Sequence, residues 1–373
     1  MAGIYVHIPF CKSRCAYCDF YSTTLGNVAM WRYVDAILAE AQLRADEIEQ
    51  PVETVYFGGG TPSMLPPELI ERLVAGLRLR DLDCREMTIE VNPDDVTAER
   101  AAAWREMGFN RVSMGVQSFV DEELRAVGRR HTAHQARQAI DTLRSAGFDN
   151  LSVDLIFGLP GQTVKSWQTS LNVALSVRPE HLSAYCLSYE PGTALWQQRE
   201  RGEEVEATEP MVEEMYNLLR RASTDAGYEH YEISNFALPG RYSRHNSSYW
   251  DGTPYLGLGA GAHSFDGLWR RHINPADIAA FERDVLERGE VSGEDDVLGK
   301  EERYEEMVML GLRTVAGIDL NRLERVLGAD YRQRLLAGAA AHLADGLLLR
   351  AGDCLRLSAT ALLRSDMIIR DII

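Results

Sequence analysis

Short apolar runs rich in β-branched residues alternate along the chain with longer stretches in which apolar residues recur every three or four positions. The short runs predict buried strands, and the longer stretches predict amphipathic helices. Strand patterns cover residues 4–8, 54–57, 87–91, 111–116, 151–157 and 181–187. Helical patterns cover residues 30–49, 67–79, 98–107, 133–146, 164–177 and 208–226. This alternation predicts an α/β fold with parallel strands, either a partial (β/α)6 barrel of the TIM type or a flat, doubly wound sheet.

The pattern changes after the last of these helices. Residues 239–267 are rich in Gly, Pro, Asn, Ser and aromatic residues, which predicts loops and short strands, and residues 292–298 predict a polar, acidic linker. Helical patterns at 303–312, 320–327, 331–344 and 359–372 then surround two strand patterns at 347–351 and 354–357, which resembles a winged helix. We therefore predict a barrel over 1–235, an extension over 236–298 and a small α+β winged-helix-like C-terminal domain over 299–373.

Composition and charge narrow the range of partners. The 373 residues are 45% hydrophobic and carry a formal net charge of −17, which argues against nucleic acid, because phosphate binding needs a basic surface. No apolar run is long enough to predict a transmembrane helix, and the N-terminus lacks the pattern of a secretory signal. We expect a cytoplasmic protein without an integral membrane segment. Residues 300–373 carry 11 basic and 11 acidic side chains, so this module is predicted to pack or to dock a partner.

Three of the six cysteines, Cys11, Cys15 and Cys18, lie directly after the first predicted strand. In a reducing compartment, clustered thiols more often hold a metal than form disulfides. The C-x3-C-x2-C spacing does not complete a usual zinc pattern. Three thiolates on a cubic iron–sulfur cluster would leave the fourth iron open to a chelating ligand. A zinc site and three buried cysteines without a metal are the alternatives.

Polar and glycine-rich segments follow the next strands. The string Y-F-G-G-G-T-P-S at residues 56–63 would let a ligand approach the backbone, although a plain tight turn is the alternative. Glu90, Gln117 and Asp154 lie at or near the ends of strands, where ligands collect in barrels of this type. Each carboxylate could instead be a salt-bridged acid of the core, with Arg129 as one available partner.

The cysteine spacing, with the aromatic Tyr17 before the last cysteine, resembles the signature of the radical-SAM superfamily. The resemblance implies a [4Fe-4S] cluster on Cys11, Cys15 and Cys18, and a barrel of the radical-SAM type. It also implies that S-adenosyl-L-methionine chelates the open iron, and that one electron from the cluster cleaves its sulfonium to a 5′-deoxyadenosyl radical.

The strings H-I-P-F-C, G-G-G-T-P-S and D-L-I-F-G-L-P-G-Q-T resemble more closely the oxygen-independent coproporphyrinogen III oxidase family, over about residues 1–300. The resemblance implies that S-adenosylmethionine is contacted by Tyr5, Tyr17, Gly59, Gly60, Thr61, Glu90, Gln117, Arg129 and Asp154. Arg130 is an alternative to its neighbour Arg129.

Two departures from the oxidase separate this chain from it. The oxidase has a cysteine two residues after its third cluster cysteine, where this chain has Phe20, and it lacks the H-N-x-x-Y-W string of residues 245–250. These features resemble the sister branch of haem chaperones. The resemblance implies that the chain binds haem as cargo, transfers it to haem-accepting proteins and forms a homodimer. It favours a chaperone over an enzyme, so no catalytic residue is assigned. The alternatives are the oxidase reaction, which converts propionates to vinyls, and radical chemistry on another substrate.

The haem-binding candidates in this string are His245, Asn246, Tyr249 and Trp250. Imidazole is a common axial ligand of haem iron, and two aromatic rings could flank the macrocycle. The glycines at positions 257, 259 and 261 would allow a close backbone approach. Alternatively, the first two side chains hold a loop by hydrogen bonds and the aromatic pair packs in the core. Further candidates are His263, His272 and Cys186 as axial ligands, and Arg241 and Arg244 as partners of the propionates.

Overall fold

The computed structural model describes residues 2–48 and 50–373. Strands β1 to β6 are Ala2–Ile8, Val52–Gly59, Glu86–Val91, Arg111–Gln117, Leu151–Phe157 and His181–Cys186. They pair in parallel and in chain order. A doubly wound sheet would reverse its strand order at a switch point, and β1 to β6 contain no such reversal. The predicted strands and the partial barrel are therefore confirmed.

The connections between these strands are helical. Helices α1 to α8 are Asn27–Leu43, Pro67–Gly76, Ala98–Glu106, Asp121–Ala126, Ala133–Ser145, Val164–Ser176, Ala194–Glu200 and Glu209–Asp225. The six longer helices match the predicted stretches, except that the first ends at Leu43. Its predicted continuation over residues 44–48 is wrong, and its predicted last residue, 49, lies outside the described residues. The short helices α4 and α7 are not predicted, because six or seven residues contain too little periodicity.

Further strands extend both edges of the barrel. Beyond β6 lie β8 (Asn235–Ala237) and β7 (Glu229–His230), both in antiparallel pairings. At the other edge β9 (Tyr255–Leu258) pairs in parallel with β1, and antiparallel β10 (His263–Phe265), β11 (Arg270–Ile273) and β12 (Glu294–Val297) follow. Strand β12 corrects the predicted linker at 292–298, because its exposed, charged residues conceal an edge strand.

The H-N-x-x-Y-W string is helical, and the predicted loop is wrong there. Helix α9 is Arg244–Asp251. The Ser243 side chain accepts a hydrogen bond from the Asn246 backbone, and the buried Glu86 carboxylate accepts from Arg244 N at 2.8 Å and from His245 N at 3.0 Å. This carboxylate caps the helix from β3, a distant part of the chain, so local sequence does not reveal it.

The C-terminal residues form a small α+β module with its own core. After α10 (Ile278–Glu282) come α11 Lys300–Leu312, β13 Ile318–Asp319, α12 Leu320–Leu327, α13 Ala329–Ala344, β14 Leu348–Ala351, β15 Cys354–Leu357 and α14 Ser365–Ile372. The three strands form one sheet, which gives the winged-helix-like arrangement that the pattern predicts. The helix predicted at 359–372 is shorter than expected, since only its last eight residues are α-helical.

The core supports a slightly different division of the chain from the predicted one. The boundary at 235/236 falls inside β8, so we propose that the barrel region ends after Ala237. Leu258 and Phe281 of the extension belong to the core of the barrel, whereas Leu323 and Ile368 belong to the separate core of the C-terminal module. Within the part of the chain described by the structure, no helix combines the length and apolar character needed to span a bilayer.

A buried ion pair joins α1 to the extension. Arg44, 1% exposed, donates hydrogen bonds to Glu40 Oε1 at 2.9 Å, to Gly257 O at 3.0 Å and to Ser264 Oγ at 2.9 Å. Glu40 is also buried and accepts from Asn274 Nδ2 at 2.7 Å. The pair therefore fixes the helix against β9 and β10.

Replacing Arg44 by Met is expected to lower the free energy of unfolding by about 3–5 kcal/mol, because the Glu40 carboxylate would stay buried without its cation. Urea unfolding followed by circular dichroism measures this loss. Arg72→Met is the control, since Arg72 pairs with Asp35 on the surface at 2.6 Å and such pairs contribute about 0–1 kcal/mol. Equal losses of unfolding free energy in the two variants would contradict a stabilising role for the buried Arg44–Glu40 pair.

Candidate cluster and cofactor site

The cysteine loop and the selected polar residues lie along the carboxyl half of the barrel. The loop follows β1, the glycine run ends β2, and Gln117 ends β4. Glu90 is the penultimate residue of β3, and Asp154 lies at the middle of β5. Because the strands are parallel, their carboxyl ends converge at one end of the barrel, as predicted for a ligand site.

Backbone hydrogen bonds close the cysteine loop at its base and attach its tip to the barrel. Cys11 N donates to Thr23 O at 2.8 Å. At the tip, Ala16 N donates to Val127 O at 3.1 Å, and Leu195 N donates to Ala16 O at 2.8 Å. The loop is therefore anchored to the segments that follow β4 and β6, which orients its three thiols with respect to the barrel.

The three thiols are free and influence one another. Burial raises the pKa of Cys11 and raises that of Cys18 to about 11, and the neighbouring Cys15 thiol acts in the same direction. Among the described residues, no three Cys, His, Asp or Glu side chains converge closely enough for a single metal ion. Three cysteines alone leave the usual four-ligand set of zinc incomplete, whereas a cubic cluster binds each thiolate through a different iron.

The glycine run packs against the start of the cysteine loop. Gly59 has a φ of 111°, and a Cβ atom there would lie 2.6 Å from His7 Cε1. A Cβ atom at Gly60 would lie 2.8 Å from the carbonyl carbon of Pro9. The space left by these glycines is thus filled by the protein itself, and their contact with a ligand stays a prediction. Thr61, which follows them, is hydrogen-bonded to Cys11 Sγ at 3.4 Å.

Glu90 and Asp154 are held inside the barrel by uncharged partners. Glu90 accepts from Tyr56 OH at 2.7 Å and from the Gly59 backbone at 3.2 Å, and Asp154 accepts from Ser113 and Ser152, each at 3.0 Å. Burial raises the pKa of both carboxyls, that of Glu90 to about 7. In the described chain neither forms a direct ion pair, which disfavours the alternative of a salt-bridged core acid. Both keep capacity to accept hydrogen bonds from a ligand.

Arg111 is a buried cation whose charge acts on both carboxylates. Its side chain is 1% exposed at the start of β4, and its charge lowers the pKa of both Glu90 and Asp154. None of its three guanidinium nitrogens has a hydrogen-bond partner in the part of the chain that is described. Buried guanidinium groups are normally bonded, so this side chain is consistent with ordered water inside the barrel.

Gln117 and Arg129 lie side by side above β4. Gln117 has a φ of 67°, uncommon for a residue with a side chain and typical of functional sites. A Cβ atom at Gly115 would lie 2.8 Å from Gln117 Nε2 and 3.2 Å from Arg129 Nη2. Arg129 Nη1 also donates to the Sγ of Cys15 at 3.4 Å, whereas Arg130 pairs with an aspartate elsewhere. The structure therefore directs Arg129, and not Arg130, toward the cysteine loop.

The two predicted tyrosines lie at different levels of the site. Tyr17 packs in a small apolar cluster with Val127 and Leu195 at the tip of the cysteine loop. Tyr5 lies lower in the barrel, where its hydroxyl donates to His7 Nδ1 at 3.0 Å and its ring stacks on Tyr56. Of these two, only Tyr17 lies beside the cysteines.

The H-N-x-x-Y-W residues do not converge on one site. The His245 side chain is 0% exposed, and its ring nitrogens are hydrogen-bonded to Thr54 Oγ1 and Tyr249 OH, each at 2.9 Å. Burial lowers its pKa to about 3. Tyr249 lines a cavity of about 940 Å³, whereas Trp250 lines another of about 380 Å³ beside the C-terminal module. In this conformation His245 has no free nitrogen for haem iron.

The other haem candidates have varied surroundings. His263 is exposed and lines the 940 Å³ cavity together with Tyr249. His272 is bonded to Asp295 at 2.9 Å, and Cys186 is exposed at the end of β6. Arg241 pairs with an aspartate on the surface, and Arg244 is exposed at the start of α9.

The glycines at 257, 259 and 261 serve the fold of the extension. A Cβ atom at Gly259 would lie 2.4 Å from Tyr33 OH, and one at Gly261 would lie 3.3 Å from the Tyr21 ring. The predicted room for a haem beside these backbones is therefore taken by the protein's own side chains.

Sequence reasoning did not select several residues of this site. Asn92 accepts from Arg129 at 2.6 Å and donates to Thr61 at 3.3 Å, which links the glycine run to the arginine. Its position two residues after Glu90, at the end of β3, is a signal that could have identified it. Ser113 alternates with apolar neighbours along β4, so the strand pattern could have placed it in the barrel interior. Nothing in the local pattern distinguishes Arg111, the buried arginine at the start of the same strand.

The raised pKa of Glu90 predicts a pH-dependent contribution to stability. Between its ordinary value of 4.5 and about 7, native Glu90 keeps a proton that the unfolded chain releases. The native state therefore binds more protons in this window, and the Glu90 contribution makes the free energy of unfolding fall as pH rises. Urea unfolding of the ligand-free protein measures this effect. The free energy of unfolding of wild type minus that of Glu90→Gln should decrease from pH 4.5 to pH 7. A flat difference would contradict the burial of an ionisable Glu90.

Comparison with known proteins agrees with this architecture. The profile of the Radical SAM superfamily matches residues 5–174, and that of the HemN C-terminal domain matches residues 298–364. The chain is therefore a radical-SAM protein with a HemN-type C-terminal domain.

Relatives along the full chain define the family further. The chain is 36% identical over 332 residues to the heme chaperone HemW of Bacillus subtilis, covering 88% of this chain and 87% of that protein. It is 36% identical to the HemW of Mycobacterium tuberculosis, covering 100% and 94%. The crystallised coproporphyrinogen III oxidase HemN of Escherichia coli matches with a TM-score of 0.84 and 25% identity, over 100% of this chain and 89% of that one. The chain belongs to the radical-SAM HemN/HemW family.

Proposed function

We propose that this protein is a haem chaperone that binds haem and transfers it to haem-accepting proteins. The observation that carries the proposal is the 36% identity, over 87% or more of their length, to proteins named heme chaperone HemW. Phe20, in place of the oxidase's additional loop cysteine, supports the same branch. A [4Fe-4S] cluster and S-adenosylmethionine are proposed as the resident cofactors.

The proposed cluster ligands are Cys11, Cys15 and Cys18, and the cluster, when bound, supplies an open iron and one-electron chemistry. Arg129 donates a hydrogen bond to Cys15 Sγ and so offsets negative charge at the thiolates. Glu90 and Asp154 accept hydrogen bonds inside the barrel, which suits the hydroxyl and ammonium donors of S-adenosylmethionine.

The cavity of about 940 Å³ supports haem as the cargo. Its volume lies at the upper end of the range of about 300–1,000 Å³ that is usual for small-molecule sites. Aromatic side chains line it, among them Tyr5, Tyr21, Tyr255 and Phe20. Aromatic walls suit a flat macrocycle with two large apolar faces.

Titration of the purified wild-type protein with haemin tests the proposal. We expect a saturable change of the Soret band near one equivalent of haemin, in samples with and without a reconstituted cluster. A linear, non-saturating response in both samples would remove haem binding, and with it the chaperone function.

Oxidation of coproporphyrinogen III is the second candidate, because the match to the oxidase HemN covers the whole of this chain. An anaerobic assay with a reductant, S-adenosylmethionine and coproporphyrinogen III distinguishes the two functions. We expect no protoporphyrinogen, and its formation would reverse the ranking.

The cytoplasmic location and the homodimer are also proposals. The small number of cysteines and their clustering support a reducing compartment. Light scattering coupled to size-exclusion chromatography tests the homodimer, and a mass of one chain at all concentrations would exclude it.

A further inference from the structure

The 940 Å³ cavity lies between β1, the residues that follow the cysteine loop, and β10. Phe20 and Tyr21, two and three residues after Cys18, form one wall, and Tyr5 and Tyr249 form another. Phe20 is 65% exposed, a large value for an apolar side chain beside a cavity. The cavity therefore borders the proposed cluster loop and presents an apolar rim to solvent.

The two imidazoles that line this cavity, His7 and His263, and the buried His245 of α9 differ in whether a ring nitrogen is available. His7 Nδ1 accepts from Tyr5 OH at 3.0 Å, and its Nε2 donates to Tyr21 O at 3.1 Å. His245 is hydrogen-bonded through both nitrogens. In the described parts of the chain, the imidazole of His263 has neither a hydrogen bond nor an ion pair, and it is exposed on β10.

The phenol groups of the cavity are less suitable as iron ligands. The hydroxyl of Tyr5 donates to His7, and that of Tyr249 is bonded to His245. The hydroxyl of Tyr21 accepts from Ile278 N at 2.8 Å, and that of Tyr255 is hydrogen-bonded to the Arg271 side chain. Iron coordination through any of these oxygens would break an existing hydrogen bond. An unbonded imidazole needs no such exchange.

We propose that haem binds in this cavity and that His263 supplies an axial ligand to its iron. This inference rests on the proposed function, because it takes haem as the ligand. The macrocycle lies against Tyr5, Tyr21 and Phe20, with a ring nitrogen of His263 on the iron. The described lining residues include the carboxylates Asp19 and Glu294 but neither Lys nor Arg, so charge repulsion would turn the propionates toward solvent. A ligand on an exposed strand at the rim suits cargo that must later leave.

The test compares haemin binding by wild type, His263→Ala and His134→Ala, each followed through the Soret band and through the ligand-sensitive bands of ferric and ferrous haem. His134 is an exposed histidine on α5 and serves as the matched control. We expect His263→Ala to lose about tenfold or more in haem affinity, together with the spectrum of imidazole ligation. Added imidazole should restore that spectrum, because the vacated position can accept it. His134→Ala should bind as wild type does.

The outcomes separate this inference from the proposed function. If wild type binds no haemin, the proposed function fails. If wild type binds and His263→Ala keeps both affinity and spectrum, only the ligand assignment is overturned. His245→Gln provides the opposing comparison, and loss of the imidazole spectrum in this variant alone, with unchanged circular dichroism, would transfer the ligand to α9. Unchanged circular dichroism of His263→Ala shows that its loss is not one of folding.

Discussion

Replacing Cys11, Cys15 or Cys18 by Ala is expected to remove nearly all iron and sulfide from anaerobically reconstituted protein. Each thiolate would hold a different iron of the cluster, and this loop has no fourth cysteine that could replace a lost ligand. The loss should appear in the visible absorbance of the cluster and in chemical determination of iron and sulfide. S-adenosylmethionine should then no longer bind through the open iron.

Cys186→Ala is the matched control, because Cys186 is a free, exposed cysteine at the carboxyl end of β6. It should keep a full iron complement. Cys84→Ala and Cys354→Ala should do the same, since both thiols donate to backbone carbonyls outside the loop. Full iron in all three loop variants would refute the ligand assignment, and so would loss in the Cys186 variant alone.

Replacing Arg129 by Met should weaken S-adenosylmethionine binding by about 10–100-fold, as expected from the loss of charge-assisted hydrogen bonds of about 1.5–3 kcal/mol. Arg129 bonds to Cys15 Sγ and to Asn92, which in turn holds Thr61. Its removal therefore disturbs both the charge and the position of the predicted ligand contacts. Equilibrium dialysis with labelled S-adenosylmethionine measures the affinity, and electron paramagnetic resonance of the reduced cluster reports ligand contact.

Arg130→Met is the control for that variant. Arg130 is adjacent in sequence but pairs with Asp94 at 2.9 Å, and its side chain makes no hydrogen bond to a thiol among the described residues. It should change the affinity by less than about twofold, as is usual for an exposed pair. Arg129→Lys, which keeps the charge, should lose less than Arg129→Met does. If Arg129→Met and Arg130→Met lower the affinity for S-adenosylmethionine equally, the choice of Arg129 over Arg130 is wrong.

Phe20 lies between the predicted cluster ligands and the cavity that we assign to haem. It lies two residues after Cys18, at the position where the oxidase has a further cysteine, and its exposed ring lines the cavity that we assign to haem. The same short segment thus leads from the predicted cluster ligands to the wall of the predicted cargo site. This proximity is consistent with coupling between the state of the cluster and the binding of haem.

The sequence by itself determined the elements whose signals are local. Each of the six barrel strands is a short run rich in apolar and β-branched residues, and the six long helices have a periodic apolar face, so a short window of sequence contains the evidence. The cysteine loop was equally accessible, because its three thiols lie within eight positions. Its location at the carboxyl end of β1 followed from the strand that precedes it.

Only the tertiary structure decided which side chains meet. Glu86 caps α9 across 158 positions of sequence, so the H-N-x-x-Y-W string became a helix rather than a loop. The same packing buried His245 with both nitrogens bonded and left His263 free beside the cavity. Hydrogen-bond partners, burial and cavities arise from contacts between distant segments, and the polarity of a residue does not reveal whether such a contact will satisfy it.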